Sequence, residues 1–430
     1  MLVRAMGFAA VAAAALVQCQ PACEPAPAPP PPPVTSVVIA GQGNGHGRGM
    51  SAWGAYGLAV NASPQWKWEE ILGYYYQGTE FRTVGNTPVR VRLMALDNSS
   101  VMGVVSLGGM ATWNGANYGS VHAYESAPNR YDVYGTSDVG CPGDGSVGWA
   151  LIGQSVPGPI TVTTPLDQSS APSGDVLGLC QPDNTVIHYR GSLTATQDGT
   201  GANRVVNEVL VENYLRGVVS REVSTSWGNA GGGGGMHALY AMATAARSFA
   251  LSQHRYSYGD TCDTSTCQVY GGAAYRAGPR APTSHPTVRV CESGNLTFEC
   301  SNTNRAVTDT AGRVRTWSNG AIISAEYSAT HGPYSAGGSF PVVDDSASNV
   351  PQNPYYQWTV DLDAATLAAH YGLGTLTAAA TEHDPASNLH LNWGNRVVLT
   401  GTAGSVVVSA WDFRNTWGLP SPGFIVRGVA

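Results

Sequence analysis

Glu222 is a carboxyl set between two stretches of helical spacing. Before it, Val211, Leu215 and Val218 repeat along one face; after it, Met236, Leu239, Tyr240, Ala243, Ala246 and Ala250 make a longer, alanine-rich face. A glutamate just past a helix is ordinarily a solvated surface charge. Flanked by Trp227 and by the helix of Tyr240, however, it can face a partly apolar groove, where desolvation raises its pKa and fits it to give a proton. Glu212, the nearest other carboxyl, falls on the first helix. Arg247, late in the second helix, suits either an ion pair with Glu212 or a role toward Glu222 and a ligand.

A second set of polar groups follows the apolar run Val37-Val38-Ile39-Ala40. It reads Gly41-Gln42-Gly43-Asn44-Gly45-His46-Gly47-Arg48-Gly49-Met50-Ser51-Ala52-Trp53-Gly54-Ala55. A strand followed by glycines invites a dinucleotide-binding reading, but no register gives G-x-G-x-x-G and no GK[ST] is present for a P-loop. What remains is a glycine-rich turn whose backbone N–H groups can approach a ligand closely, with His46 and Arg48 as side-chain donors.

Of the eight cysteines, Cys19 and Cys23 lie in the leader, leaving Cys141, Cys180, Cys262, Cys267, Cys291 and Cys300. An even set in an exported chain implies disulfides. Nearest-neighbour pairing gives Cys141–Cys180, Cys262–Cys267 and Cys291–Cys300. The alternative for the middle pair is a zinc set of His254, Cys262 and Cys267, although a fourth protein ligand is not evident. No other cofactor is expected.

Glu212-Asn213-Tyr214-Leu215-Arg216-Gly217-Val218-Val219, then Glu222, Ser226-Trp227 and Ala245-Ala246-Arg247-Ser248-Phe249-Ala250-Leu251, together resemble the signature of the SpoIID/LytB family. The glycine-histidine segment is similar to that family's second hallmark, and its N-terminal placement resembles actinobacterial secreted members. Gln268-Val269-Tyr270-Gly271-Gly272, Thr303 to Val307, Ala325 to Tyr334 and the ending Gly418 to Phe424 continue the likeness in order. The resemblance implies action on peptidoglycan glycan strands, as by the family's lytic transglycosylases, with Glu222 as general acid and base. His46, Arg48, Ser51, Trp227, Arg247, Ser328, Thr330 and Tyr334 are then the residues expected against sugar, and His331 is a further candidate base. For both hallmarks to serve one site, the N-terminal segment must pack back against Glu222. Two departures favour an alternative, a non-catalytic peptidoglycan-binding protein or amidase modifier working with other wall hydrolases. Ser220, Arg221, Val223 and Ser224 replace prolines and methionine around the glutamate, and Gly231 to Gly235 replace the turn that starts the second helix.

The elements that must position these groups are strand-rich. Short strands are expected at 89–93, 101–107, 131–134, 160–162, 186–189, 193–195 and 204–206, separated by turn residues, with more at 358–360, 396–399 and 406–408. The fold class expected is α+β, β-rich, with a central helix-loop-helix carrying the active-site groove. A β subdomain at about 88–207 joins a core at about 189–430, completed by the motif at 41–55; residues 37–430 form the family-like region. Residues 1–23 read as a secretory signal and 24–36 as a Pro-rich tether. The protein is thus expected to be secreted or wall-associated, with lipidation at Cys19 or Cys23 as a variant that would suit an anchored adhesin-like module. No later stretch is long and apolar enough for a transmembrane helix. A net charge of -7 argues against general nucleic-acid binding. The chain has 11 Trp and 20 Tyr, enough to grip carbohydrate through aromatic faces and hydrogen bonds.

Overall fold

Val37 and Ile39, alternate residues of the strand Ser36–Gln42, are fully buried, and the strands that cover them come from the far end of the chain. The computed structural model describes residues 33–165, 176–183, 185–276 and 300–429. The expected signal at 1–23, Cys19, Cys23 and Cys291 lie outside them. Within them, Ser36–Gln42 pairs antiparallel with both Gln357–Asp363 and Phe424–Val429 in a six-stranded sheet. Among the described residues the helices are α1 (Ala52–Val60), α2 (Trp68–Tyr75), α3 (Val211–Glu222), α4 (Met236–Ser252), α5 (Ser301–Asp309), α6 (Ala364–Tyr371) and α7 (Ala410–Trp417). This sheet, α6 and α7 enclose an apolar cluster of their own, with Leu367, Val397, Phe413 and Phe424 at its centre.

The rest shares one larger core. A seven-stranded sheet runs from Ala150–Pro157 at one edge to Ala274–Arg276 at the other, and a five-stranded sheet centres on Asn203–Leu210. Val104, Val121, Leu179, Val91 and Val209 from these sheets pack in the same cluster as Tyr214, Leu215, Leu239 and Ala243 of α3 and α4. The fold is therefore α+β and strand-rich. The expected boundary of a β subdomain at 207 is not where the structure divides. Thr261–Cys262 and Ala274–Arg276 return to complete the two sheets, and it is the C-terminal sheet that has a separate core.

The strand Asn203–Leu210 runs without a loop into α3, whose apolar residues Val211, Tyr214, Leu215, Val218 and Val219 recur at helical spacing and are buried. α4 is buried nearly all round, and its many alanines allow α1, α2, α3 and α5 all to pack on it. The expected helix-loop-helix needs one correction. Glu222 is the last residue of α3 rather than a loop residue, and after the extended Val223 comes a 3-10 segment, Thr225–Gly233, capped by the Ser224 side chain and broken where Gly231 and Gly232 take positive φ.

In the glycine-histidine segment, Gly43, Gly45, Gly47 and Gly49 all have positive φ. The alternate glycines are thus required by the backbone path itself. The path ends in Met50–Ser51, which pairs in parallel with Tyr327–Ser328.

Candidate active site

α3 delivers the Glu222 side chain against two elements. The Val269 backbone N–H donates to its carboxyl at 3.1 Å, and the Tyr327 hydroxyl hydrogen-bonds the same group. Burial pushes the Glu222 carboxyl above the usual carboxylate range, while these two donors and the Arg221 charge pull the other way. Glu222 as a residue is half-buried. It is an acid that holds its proton to higher pH than usual, with donors already in place for the anion it becomes.

Behind Tyr327 the support is dry. Gln268, almost fully buried, donates from Nε2 to the Tyr327 hydroxyl at 2.9 Å and accepts from the Tyr214 hydroxyl at 3.1 Å. Gln268 and Val269 directly follow Cys267, which is disulfide-bonded to Cys262, so a short closed loop presents both. Asp263 lies inside that loop, accepts from Met94 N at 3.0 Å, and is pushed up to about 6 by burial. Sequence reasoning named Gln268 and Val269 only as part of the family likeness, not as site residues, and did not name Asp263.

The glycine-histidine segment does pack beside this centre. His46 Nδ1 lies 3.2 Å from Ser328 Oγ, which also accepts from Gly47 N at 2.9 Å, and Ser328 is the neighbour of Tyr327. Burial, then the Arg48 charge, lowers His46 to about 4, so it is neutral at physiological pH. Arg48 holds Glu326 through both Nε and Nη2, the closest contact at 2.7 Å.

Other expected contacts with sugar are corrected by burial. Ser51 is closed off from solvent and caps α1, accepting from Gly54 N at 2.9 Å. Ser328 and Thr330 are buried; Thr330 Oγ1 accepts from Asn353 Nδ2 at 3.0 Å. Arg247 is fully buried and grips Glu212 at 2.7 and 2.9 Å, donating also to the Val307 and Arg313 carbonyls. It therefore ties the helices together. His331, the further candidate base, is buried beside Asp345 and lowered to about 3 by burial. Tyr240, on α4, has its hydroxyl drawn to Asp309, donating at 2.8 Å.

Two expected aromatic groups stay accessible. Tyr334 is 42% exposed and stacks on His390. Trp227, half-buried, packs against Trp53 at 4.7 Å and Tyr56 at 4.8 Å between ring centroids. Trp53 N donates to Ala329 O at 3.0 Å, which keeps this trio on the segment that carries Tyr327. In the sequence Trp53 was named only as part of the glycine-histidine motif, and Tyr56 was not named.

The zinc alternative is not assembled. The Cys262 and Cys267 sulfurs are joined, and His254 is turned outward, 82% exposed and 3.7 Å from Asp260. Among the described residues no group of three or more His, Cys, Asp or Glu could hold a metal. Cys141 is bonded to Cys180. Cys300 is also bonded, and Cys291, its expected partner, lies outside the described residues.

Residues 200–317, which contain Glu222, its helices and Gln268, match the family model described as SpoIID, stage II sporulation protein. Over that stretch the chain carries a SpoIID domain. Over 162 residues it is 29% identical to a protein of Bacillus subtilis (strain 168) named "Amidase enhancer"; the match covers 36% of this chain and 17% of that protein. The chain thus spans well under two thirds of that relative's length. No solved structure matches. Both likenesses support a cell-wall related role. Among the described residues no helix is long and apolar enough to cross a membrane.

Proposed function

We propose that this SpoIID-family protein is an exported lytic transglycosylase that cleaves peptidoglycan glycan strands between N-acetylmuramic acid and N-acetylglucosamine. The observation that carries the reading is Glu222, a half-buried residue whose carboxyl has a raised pKa and two donors fixed on it. Protonated Glu222 gives its proton to the glycosidic oxygen as the C1–O bond breaks. The resulting carboxylate is held by Val269 N–H and Tyr327, and takes the proton of the muramoyl 6-hydroxyl as that oxygen closes on C1. One carboxyl serves both steps, so the second carboxylate of an ordinary glycosidase is not required. Glu212 and Glu326 are engaged with Arg247 and Arg48. The half-buried Trp53, Tyr56 and Trp227 offer the aromatic surface on which sugar rings pack. Two disulfides among the described residues fit an exported location.

A second reading, a wall-binding amidase modifier without turnover, is favoured by the name of the Bacillus relative and by the glycine break at Gly231 and Gly232. Mass spectrometry of purified glycan strands, with and without stem peptides, separates the two. The transglycosylase releases anhydro-muramoyl products, and Glu222→Gln lowers their rate by about 10² to 10⁴-fold while strand binding persists. Binding by both proteins with no product from either would leave the modifier.

A further inference from the structure

The C-terminal sheet carries a cleft that the Glu222 centre does not use. It measures about 520 Å³ and is lined by Ala40, Gln42, Gln357, Thr359, Asn392 and Ile425, among others. Ala40 pairs with Thr359 and Ile425, and Gln42 with Gln357. These residues alternate with the buried Ile39, so their side chains stand on the face of the sheet away from its apolar core. No lining residue is charged.

Gln42 sits in this cleft in an unusual state. It is only 7% exposed; its Oε1 accepts from Asn392 Nδ2 at 3.3 Å, while its Nε2 is buried with no acceptor. In the assigned orientation of the amide, Nε2 is the atom left without a partner. The residue's backbone is fixed on both sides: Gln42 N donates to Gly423 O at 2.8 Å, and Ser421 Oγ donates to Gln42 O. A buried amide without a partner is unfavourable, and a bound ligand that supplies the partner relieves it.

We propose that this cleft is a second carbohydrate site, binding an uncharged sugar whose hydroxyl or acetamido group pairs with the Gln42 amide. Uncharged walls and amide and hydroxyl groups at the rim suit a neutral polyhydroxylated ligand and give no grip on an ionic one. Gln42 precedes His46 by four residues, so their Cα atoms lie within about 14 Å. His46 in turn is held to Ser328, beside the tyrosine that binds Glu222. One glycan chain can therefore occupy both places. That the glycan is wall material rests on the function proposed above; that the cleft takes neutral sugar does not.

The probe is the N-acetylglucosamine tetramer, added to the full chain carrying Glu222→Gln and followed by saturation-transfer NMR and calorimetry. Binding is expected, weakened about tenfold or more by Thr359→Arg, which fills the cleft from an exposed strand position, and by Gln42→Leu. Circular dichroism melting verifies that both variants fold. Absence of binding, or equal affinity with and without Thr359→Arg, overturns the proposal. If instead Trp227→Ala abolishes binding and Thr359→Arg does not, the sugar sits only near Glu222 and the cleft is not a site. Formation of anhydro products by the unmodified chain reports separately on the Glu222 reading.

Discussion

The Gln268 amide donates to the Tyr327 hydroxyl at 2.9 Å, which leaves that hydroxyl's own proton to turn toward Glu222. Because this bond favours the ionised carboxyl, Tyr327→Phe raises the Glu222 pKa further. A general acid works while protonated, so the alkaline limb of kcat/KM against pH moves upward in the variant. At the same time the maximal rate falls about tenfold, for one lost hydrogen bond to a charged group. An alkaline limb that stays in place would show that the tyrosine does not act on the titrating carboxyl.

The Cys262–Cys267 loop makes the same support sensitive to reduction. Its two ends fix the start of Gln268-Val269, and both of these residues reach Glu222 directly or through Tyr327. Closing so short a loop restrains the unfolded chain by roughly 2 kcal/mol, and the Cys262→Ser, Cys267→Ser double variant is expected to lose about that much in denaturant titrations. Activity should fall more than stability explains, with kcat reduced and strand affinity kept. Unchanged kcat at temperatures where the variant is folded would remove the loop from the account of the site.

Much of this centre was legible in the sequence because its residues are close together. Glu222, Trp227 and the helices around them lie within one stretch, and helical spacing fixes which faces turn inward. What was not legible depends on contacts between distant parts of the chain. Ser51, Ser328 and Thr330 are small hydroxyl residues that suit sugar binding or capping equally, and only the parallel pairing of Met50–Ser51 with Tyr327–Ser328 shows that they turn inward. The strand Ser36–Gln42 was readable as a strand, but nothing local says that its partners lie near 360 and 426. The same holds for Trp53, which meets Trp227 across the fold.

Arg247 gives a test of structure against binding. With its guanidinium fully buried and committed to Glu212 and two carbonyls, Arg247→Met leaves Glu212 without its counter-charge and is expected to cost about 3 kcal/mol or more in unfolding free energy. Adding Glu212→Gln should restore part of that loss, since the stranded charge is then gone. Strand affinity of whatever fraction remains folded should be unchanged. A variant of normal stability with weakened binding would return Arg247 to the ligand.

Asp345 and His331 should impose opposite pH dependences on stability. Asp345, buried with Tyr75, Ser51, Ser348 and the His331 backbone as hydrogen-bond partners, is pushed up to about 7, against about 3.9 in an unfolded chain. The native state therefore binds more protons than the unfolded one across that interval, and this contribution to stability is lost as pH rises from about 4 to about 7. His331 is lowered to about 3, against about 6.5 unfolded, so its contribution is full above about 6.5 and is lost as pH falls toward 3. Over the shared interval the two slopes oppose each other and the wild type should be nearly flat. Asp345→Asn removes the falling slope alone, so the variant's unfolding free energy should climb steadily from about pH 4 to about 6.5 while the wild type's does not. Denaturant unfolding at several pH values would read this directly, and parallel curves for the two proteins would mean that Asp345 is already ionised in the native state, with its charge held by the tyrosine and serine hydroxyls around it.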